Sequence, residues 1–355
     1  MFQLDRLWNE IKDDALSLIN EHASSGLGQK SNAVKELENI LSSYSNRSYV
    51  VTTASCTDAL TCAIESLNLA PNSLIAVQSL TFIAAATSIK RSGMKPYFVD
   101  VDEYGHIKLD MIPKSCKAVI VTDLWGCPMD YHALQEWQNN NPNVFIIMDA
   151  AQSIETIHNN KSSLKQGFIT VTSFSPSKTI PTWGSGGALL TDDEYTFKFA
   201  KRWITHGKDK NSDNASMLGA NSTLGTLEAA QILSVFKSHK DRHARRNEIA
   251  KIYIDSLQDS CIKPLPYRDT HTWHKFIIDC NGKREEVIEI FNNNGIETKT
   301  FYQPLITDEL LYQDYPKTSL QQSKYFSNNL LAIPCQSTLT DTEVNFISHV
   351  LKDIK

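Results

Sequence analysis

Short apolar runs alternate with amphipathic segments from residue 49 to about residue 191. The runs that predict strands in this region are Tyr49–Thr53, Ser73–Val77, Lys95–Val101, Ala118–Asp123, Val144–Met148 and Phe168–Phe174. Several of the intervening segments repeat apolar residues with the helical period. Alternation of this kind is typical of βαβ units. We therefore expect an α/β fold with a mainly parallel central sheet flanked by helices.

Two amphipathic helices are expected before the first strand. The first lies within Met1–His22, and the residues on its apolar face are Leu4, Leu7, Trp8, Ile11, Ala15 and Leu18. The apolar positions of the second helix are Val34, Leu37, Ile40, Leu41 and Tyr44. Helices with one apolar face bury that face against a core. We assign both helices to the large domain.

The pattern changes after about Arg246. A helix, a strand at Lys275–Asp279, a helix at Glu285–Asn293 and a strand at Glu297–Thr300 are expected, and a last helix begins near Asp341. These elements predict a smaller C-terminal α+β domain. We place the large domain at residues 1–240 and the small domain at residues 241–355. A charged, turn-forming cluster at Lys208–Asn214 predicts a mobile segment.

Composition and charge exclude several classes of protein. The chain has 355 residues, 41% of them hydrophobic, and a net charge of −5 with acids and bases interspersed, so no basic stripe for nucleic acid is present. No segment has the apolar length of a membrane span or the core of a signal peptide. The seven cysteines are an odd number without metal-ligand spacing. These features predict a cytoplasmic protein without a metal site.

Lys178 is the first candidate for chemistry. It follows the strand Phe168–Phe174 in a Ser-Pro-Ser-Lys turn, and the glycine-dense segment 184–187 comes soon after it. Glycines allow close approach of the backbone to a bound group. Burial would lower the pKa of the lysine and make it a nucleophile that can form a Schiff base. The alternative is an ordinary solvated lysine on a loop.

Asp149 is the second candidate, because it follows the fully apolar run Val144–Met148. Ligand chemistry in open α/β sheets lies at the carboxyl ends of the strands. A carboxylate there, together with a lysine from a later strand, is the pair that pyridoxal phosphate (PLP) needs. The lysine forms an imine, and the carboxylate keeps the pyridine nitrogen protonated. The alternative for Asp149 is an N-cap of a following helix.

The segment Ser55–Asp58 lies between a predicted strand and a predicted helix. A helix N-terminus offers backbone N–H groups and a favourable dipole to an anion such as phosphate. The segment lacks glycines, so the signal is not specific. The alternative is simple helix capping by Ser55 or Thr57.

Several ordered motifs between about residues 25 and 350 resemble one known family. The motifs are Ser55–Leu60, Thr81-Phe82, Tyr97–Asp102, Asp149–Gln152, Ser173–Lys178, Asn221, Ala229–Gln231, Trp273–Phe276 and Gly295–Thr298. In this order they resemble the DegT/StrS-type sugar aminotransferases, which are fold-type I PLP enzymes. The resemblance implies a large PLP-binding domain and a smaller C-terminal domain. It also implies that Lys178 carries the Schiff base and that Asp149 contacts the pyridine nitrogen.

The resemblance implies roles for further residues. Cys56, Thr57 and Ser173 would contact the cofactor phosphate, and Phe82 would stack on the pyridine ring. Gln152 would lie beside the ring hydroxyl. Asn221 would reach the phosphate of the neighbouring subunit, so the active sites would be shared within a homodimer.

The implied reaction transfers an amino group, with glutamate as the donor, to a keto-sugar that is nucleotide-linked. One alternative is a PLP-dependent sugar dehydratase of the same fold, in which a histidine characteristically replaces the lysine. Another is a non-catalytic relative with a binding or regulatory role. Ser185, Thr223 and Phe301 stand where the family commonly has glutamate, arginine and histidine, and the last two lie near its substrate region. The identity of the sugar, the aminated carbon and the pathway stay open.

Overall fold

A computed structural model describes residues 3–209 and 214–355 of the chain. Most of the predicted loop at Lys208–Asn214 therefore lies outside the described residues. The helices are α1 Leu4–Ala23, α2 Asn32–Ser45, α3 Cys56–Ser66, α4 Ala84–Arg91, α5 Tyr131–Asn140, α6 Glu194–Trp203, α7 Thr226–Lys237, α8 His239–Ser256, α9 Arg284–Asn293, α10 Gln321–Asn329 and α11 Asp341–Asp353. The strands are β1 Tyr49–Thr53, β2 Leu74–Gln78, β3 Lys95–Val99, β4 Cys116–Thr122, β5 Phe145–Asp149, β6 Ile157–His158, β7 Lys161–Ser162, β8 Ile169–Ser173, β9 Gly187–Thr191, β10 Lys263–Pro264, β11 Phe276–Asp279 and β12 Leu330–Ile333.

The central sheet has seven strands in the order β1-β9-β8-β5-β4-β2-β3. The pairings from β8 through β5, β4 and β2 to β3 are parallel, whereas β9 runs antiparallel to both β1 and β8. The prediction of a mainly parallel sheet is thus confirmed. Because β8 and β9 are antiparallel neighbours, the connection that carries Lys178 leaves and re-enters the sheet at adjacent positions.

Helices cover both faces of this sheet, as expected for buried parallel strands. Alternate side chains of a strand point to opposite faces, so Val51 and Leu189 pack with α3, α4 and α6, whereas Val50 and Leu190 pack with α1, α2 and α7. Toward the β3 edge, α5 covers the second face over Ile146 and Met148. The fold is therefore an α/β structure of fold-type I shape.

The C-terminal region forms a second, antiparallel sheet in the order β10-β11-β12. It packs with α8, α9 and α11 around a core that includes Phe276, Phe291 and Leu351. The predicted strand at Glu297–Thr300 is wrong, because only Lys299 forms a β-bridge, with Ala332. The division into residues 1–240 and 241–355 stays a prediction, and α8 begins close to it.

The first helix contacts the C-terminal part of the chain. Its buried residues Leu7 and Ile11 belong to the core cluster that contains α7. Arg6 donates two hydrogen bonds of 2.6 and 2.7 Å to the carboxylate of Glu343 in α11. The Trp8 ring makes an edge-to-face contact with Trp183 at a centroid distance of 5.3 Å. Trp183 follows Lys178 in the same loop, so α1 packs against that loop through the Trp8 ring. Within the described residues, every helix is too short or too polar to span a lipid bilayer.

Candidate active site

A cavity of about 640 Å³ opens at the carboxyl ends of β5 and β8 and the N-terminus of α3. It is lined by all the sequence-predicted site residues except Asn221. These lining residues are Cys56, Thr57, Phe82, Asp149, Gln152, Ser173 and Lys178. A volume of this size matches a small-molecule site. Residues from widely separated parts of the chain thus meet at the edge of the sheet where α/β proteins hold ligands.

The loop between β8 and β9 presents Lys178 to the cavity. Its ends are fixed because Ser173 pairs with Gly187 across the two strands. Inside the loop, the Thr182 N–H donates to the Phe174 carbonyl at 2.7 Å and the Thr182 hydroxyl donates to Gln231 at 2.6 Å. Burial lowers the pKa of Lys178, although Asp149 and Cys56 act to raise it. A neutral, nucleophilic amine is therefore more accessible here than on a solvated lysine.

Asp149 ends β5 with only 8% of its surface exposed. One carboxylate oxygen accepts a hydrogen bond of 3.0 Å from the N–H of Ala151. Burial raises the pKa of Asp149, while that hydrogen bond and the charge of Lys178 lower it. The alternative of a helix N-cap is wrong, because residues 151–155 form turns rather than a helix. A buried carboxylate without a helix to cap favours a role toward a ligand.

The turn from β1 into α3, here called the anion cradle, could hold an anion at the N-terminus of the helix. Ser55 caps α3, its hydroxyl accepting a bond of 3.1 Å from the N–H of Asp58. The first N–H groups of a helix, here those of Cys56 and Thr57, have no partner within the helix. A Cβ at Gly187 would lie 2.5 Å from the Cys56 nitrogen, so glycine is required there. Capping and anion binding are therefore compatible at this turn.

Gln152 is held by three neighbours. Its side-chain oxygen accepts a bond of 2.7 Å from the Trp125 N–H, and its amide nitrogen donates to the Tyr302 hydroxyl at 3.2 Å. His274 Nδ1 lies 3.2 Å from the same Gln152 oxygen, and His274 Nε2 lies 2.9 Å from the carbonyl of Ser177. The amide is thus oriented, and the histidine connects it to the loop that carries Lys178.

Tyr302 and His274 both line the cavity, although neither was predicted from the sequence to have a role in the site. Their motifs, Trp273–Phe276 and the segment around Phe301, were visible as parts of the family pattern. However, spacing alone does not show that residues so distant in sequence reach Gln152. Burial and the nearby lysines Lys275 and Lys178 hold the pKa of His274 well below its usual range.

Phe82 lies at the cavity rim, before α4, and is 55% exposed. Its ring centroid is 6.3 Å from that of Tyr302. Asn221 lies outside the cavity of its own chain, on the surface, where it forms a β-bridge with Thr205. The next residue, Ser222, bonds to the N–H of Ala54. Asn221 therefore lies near the anion cradle but outside the cavity lining.

The positions that depart from the family pattern have different environments. Ser185 is exposed and Phe301 is half-buried, and both line the cavity. Thr223 is half-buried next to Leu224, away from the cavity-lining set. Two of the three departures therefore change the surface that a substrate would meet.

The residues present fit PLP by the chemistry of their donor groups. A half-buried amine, a buried carboxylate and a helix N-terminus beside the serine hydroxyl of Ser173 surround one cavity. These are the groups that this cofactor needs for its aldehyde, its ring nitrogen and its phosphate. Fold and site together define a fold-type I PLP enzyme.

Residues 9–352 match the DegT/DnrJ/EryC1/StrS aminotransferase family. The chain belongs to this family, whose aminotransferases are PLP-dependent. The structure of a DegT/DnrJ/EryC1/StrS aminotransferase from Brucella abortus superimposes with a TM-score of 0.93 at 25% identity. The match covers 98% of this chain and 97% of the Brucella chain. The predicted family and fold are confirmed.

Characterised relatives are similar over almost the whole chain. The UDP-2-acetamido-2-deoxy-3-oxo-D-glucuronate aminotransferase of Pseudomonas aeruginosa is 25% identical over 96% of this chain and 94% of its own length. The 3-oxo-glucose-6-phosphate:glutamate aminotransferase of Bacillus subtilis is 26% identical over 98% of this chain and 83% of its own. A pleiotropic regulatory protein of Geobacillus stearothermophilus is 26% identical over 98% of this chain and 96% of its own.

Proposed function

We propose that this chain is a PLP-dependent aminotransferase that moves an amino group from glutamate to a nucleotide-linked keto-sugar. The observation that carries the proposal is the presence of Lys178 and the buried Asp149 in the lining of one cavity, where each influences the pKa of the other. The reaction belongs to the biosynthesis of surface polysaccharides or other glycans. The cytoplasm is its proposed location.

PLP, when bound, supplies an aldehyde that condenses with amines and a ring that withdraws electrons. Lys178 offers the amine, and burial lowers its pKa, which favours the unprotonated, nucleophilic form. During amino transfer, the amine of Lys178 would accept and return a proton as a general base and acid. Asp149 supplies the negative charge that keeps a proton on the ring nitrogen. Two half-reactions at one lysine predict ping-pong kinetics.

The remaining predicted residues bind and orient. Cys56, Thr57 and Ser173 hold the phosphate at the N-terminus of α3, where the helix dipole favours negative charge. The fixed amide of Gln152 bonds to the ring hydroxyl, and Phe82 covers the ring face at the rim. These contacts make the position of the reacting atoms independent of the substrate.

We further propose a homodimer with shared active sites. Phe82 is half exposed at the rim although it is assigned to a ring contact, and Ile83 beside it is also exposed. A second subunit would close this side and bring Asn221 of the partner subunit to the phosphate. The exposed position of Asn221 beside the anion cradle supports this arrangement.

The substrate assignment is supported by the relatives. One is named for a UDP-linked 3-oxo sugar, and another for a 3-oxo sugar phosphate with glutamate as donor. The cavity volume of about 640 Å³ lies within the usual range for small-molecule sites. The altered residues Ser185 and Phe301 set the choice of sugar.

A regulatory protein without catalysis is the second candidate, favoured by the relative named as a pleiotropic regulator. Retention of Lys178 and Asp149 in one cavity argues against it, since binding alone does not need a nucleophilic amine. The lysine also argues against a sugar dehydratase, in which histidine replaces it.

The test is the visible absorbance of purified protein with PLP, before and after addition of glutamate. Native protein should show the band of the lysine-bound cofactor, and glutamate should convert it to the amino form. Lys178→Ala should lose the lysine-dependent band, whereas Lys95→Ala, an exposed lysine outside the cavity, should behave as native protein. If native protein shows no such band, or glutamate leaves it unchanged, the aminotransferase proposal fails.

A further inference from the structure

A second lysine, Lys275, lies in the wall of the same cavity as Lys178. It precedes β11, and its N–H donates to the Trp125 carbonyl at 3.2 Å, which anchors the backbone. Only 8% of the residue is exposed. Its amine lies 5.7 Å from the centroid of the Phe301 ring, a cation–π contact at the cavity surface. The cavity therefore presents two amine groups to a ligand.

Several basic groups lie near Lys275. Burial, together with the nearby charges of Lys178, Lys299 and Arg246, lowers its pKa to about 7, while Cys335 acts to raise it. Arg246 is already engaged in an ion pair with Glu155 and donates to the Thr272 carbonyl at 2.9 Å. Burying an ammonium among cations is unfavourable. An anion in the cavity would offset both the burial and the repulsion.

We propose that Lys275 binds an anionic group of the substrate, a carboxylate or a phosphate, in the cavity beside Lys178. The inference rests on the proposed function, because it names a property of what the same cavity receives. Two sources share this chemistry, namely a carboxylate of the amino donor and an acidic or phosphate substituent of the keto-sugar. In both cases the charge lies close to the reacting amine, so Lys275 selects substrates by charge as well as by shape.

The direct test measures binding of non-reacting probes to PLP-loaded protein by calorimetry. The probes are glutarate for the donor, glucuronate and glucose 6-phosphate for the sugar, and glucose as the neutral reference. Lys275→Met should weaken the binding of at least one anionic probe by about tenfold or more, which is the scale of a lost charged hydrogen bond. The matched control is Lys299→Met, which removes a neighbouring charge outside the cavity lining and should leave probe binding nearly unchanged.

The pattern of losses identifies the source of the anion. Weaker binding of glutarate alone assigns Lys275 to the donor, and weaker binding of the two sugar anions alone assigns it to the acceptor. Lys275→Gln provides a second uncharged variant if the methionine variant does not fold. Equal binding of the anions to native and variant protein, or no binding of any anion to native protein, overturns the inference. Conversion of the cofactor by glutamate in native protein is measured separately, so failure here leaves the proposed function standing.

Discussion

His274 Nδ1 lies 3.2 Å from the side-chain oxygen of Gln152, an atom that already accepts a hydrogen bond from the backbone of Trp125. The other ring nitrogen faces the Ser177 carbonyl, which is also an acceptor. Burial and the adjacent lysines keep the imidazole neutral, so it donates to one of the two partners at a time. His274 thereby links the amide that orients a ligand to the loop that carries Lys178.

Replacing His274 with alanine should slow the reaction of Lys178 with PLP by up to about tenfold, the effect of losing one net hydrogen bond. The physical reason is that the Ser177 carbonyl, next to Lys178, loses its donor. Stopped-flow absorbance with added PLP measures the rate. His243→Ala is the control, because His243 bonds to the His271 carbonyl outside the cavity lining. Equal rates in both variants would contradict a positioning role for His274.

Asp149→Asn should make the cofactor-free protein more stable at neutral pH and the loaded enzyme slower. Burial raises the folded-state pKa of Asp149, so its ionised form destabilises the fold, and this loss grows as pH rises through the unfolded pKa toward the folded pKa. Asparagine carries no charge and removes the loss. Amino transfer should fall by about a hundredfold or more, since the ring nitrogen loses its charged partner.

Asp100→Asn is the matched comparison for stability. Burial raises the pKa of Asp100, but hydrogen bonds from Ser323 and Gln322 outweigh burial and lower it overall. Its contribution is therefore present above the unfolded pKa and lost in acid, and the asparagine variant should lose about 1–3 kcal/mol near pH 7. Thermal unfolding of both apoproteins across pH 4 to about 8 measures the contrast. Shifts of the same sign at neutral pH would contradict this assignment.

Leu7→Ala should lower the free energy of unfolding by about 2–4 kcal/mol, because Leu7 is 2% exposed in the core beneath α1. Leu7 also lines a small cavity whose wall includes Lys178, so the rate of PLP binding should fall as well. Leu16→Ala on the same helix is 46% exposed and should change stability by less than about 0.5 kcal/mol. Urea unfolding provides both values. A loss at Leu16 as large as at Leu7 would contradict the assignment of the stabilisation to buried packing.

Mixing two inactive variants tests the shared site. Lys178→Ala and Asn221→Ala each disable one component, but in a heterodimer one site combines an intact Lys178 with an intact Asn221 of the partner subunit. Random exchange of subunits should therefore restore about a quarter of native activity. Separately tagged chains, mixed under conditions that exchange subunits, provide the assay. Activity no higher than the sum of the two variants would argue for unshared sites.

The strand runs and their alternation could be predicted because buried parallel strands are short and apolar, and Lys178 and Asp149 followed such runs. No helix follows Asp149. Its carboxylate accepts a hydrogen bond from the Ala151 N–H, and the chain continues in successive turns. The prediction of a strand at Glu297–Thr300 was wrong because, of these residues, only Lys299 exchanges hydrogen bonds with Ala332. Tyr302 and Lys275 reach the cavity through tertiary packing, which local patterns do not encode.

The antiparallel pairing of β8 with β9 has a consequence for the energetics of turnover. Ser173 and Gly187 are paired neighbours, and Thr182 is bonded within the loop and to Gln231, so the chain is held on both sides of Lys178 in the folded protein. The entropy of ordering the lysine backbone is lost once, when the protein folds, and not again with each substrate. Lys178 can thus take part in many catalytic cycles while the backbone of its loop keeps a single conformation.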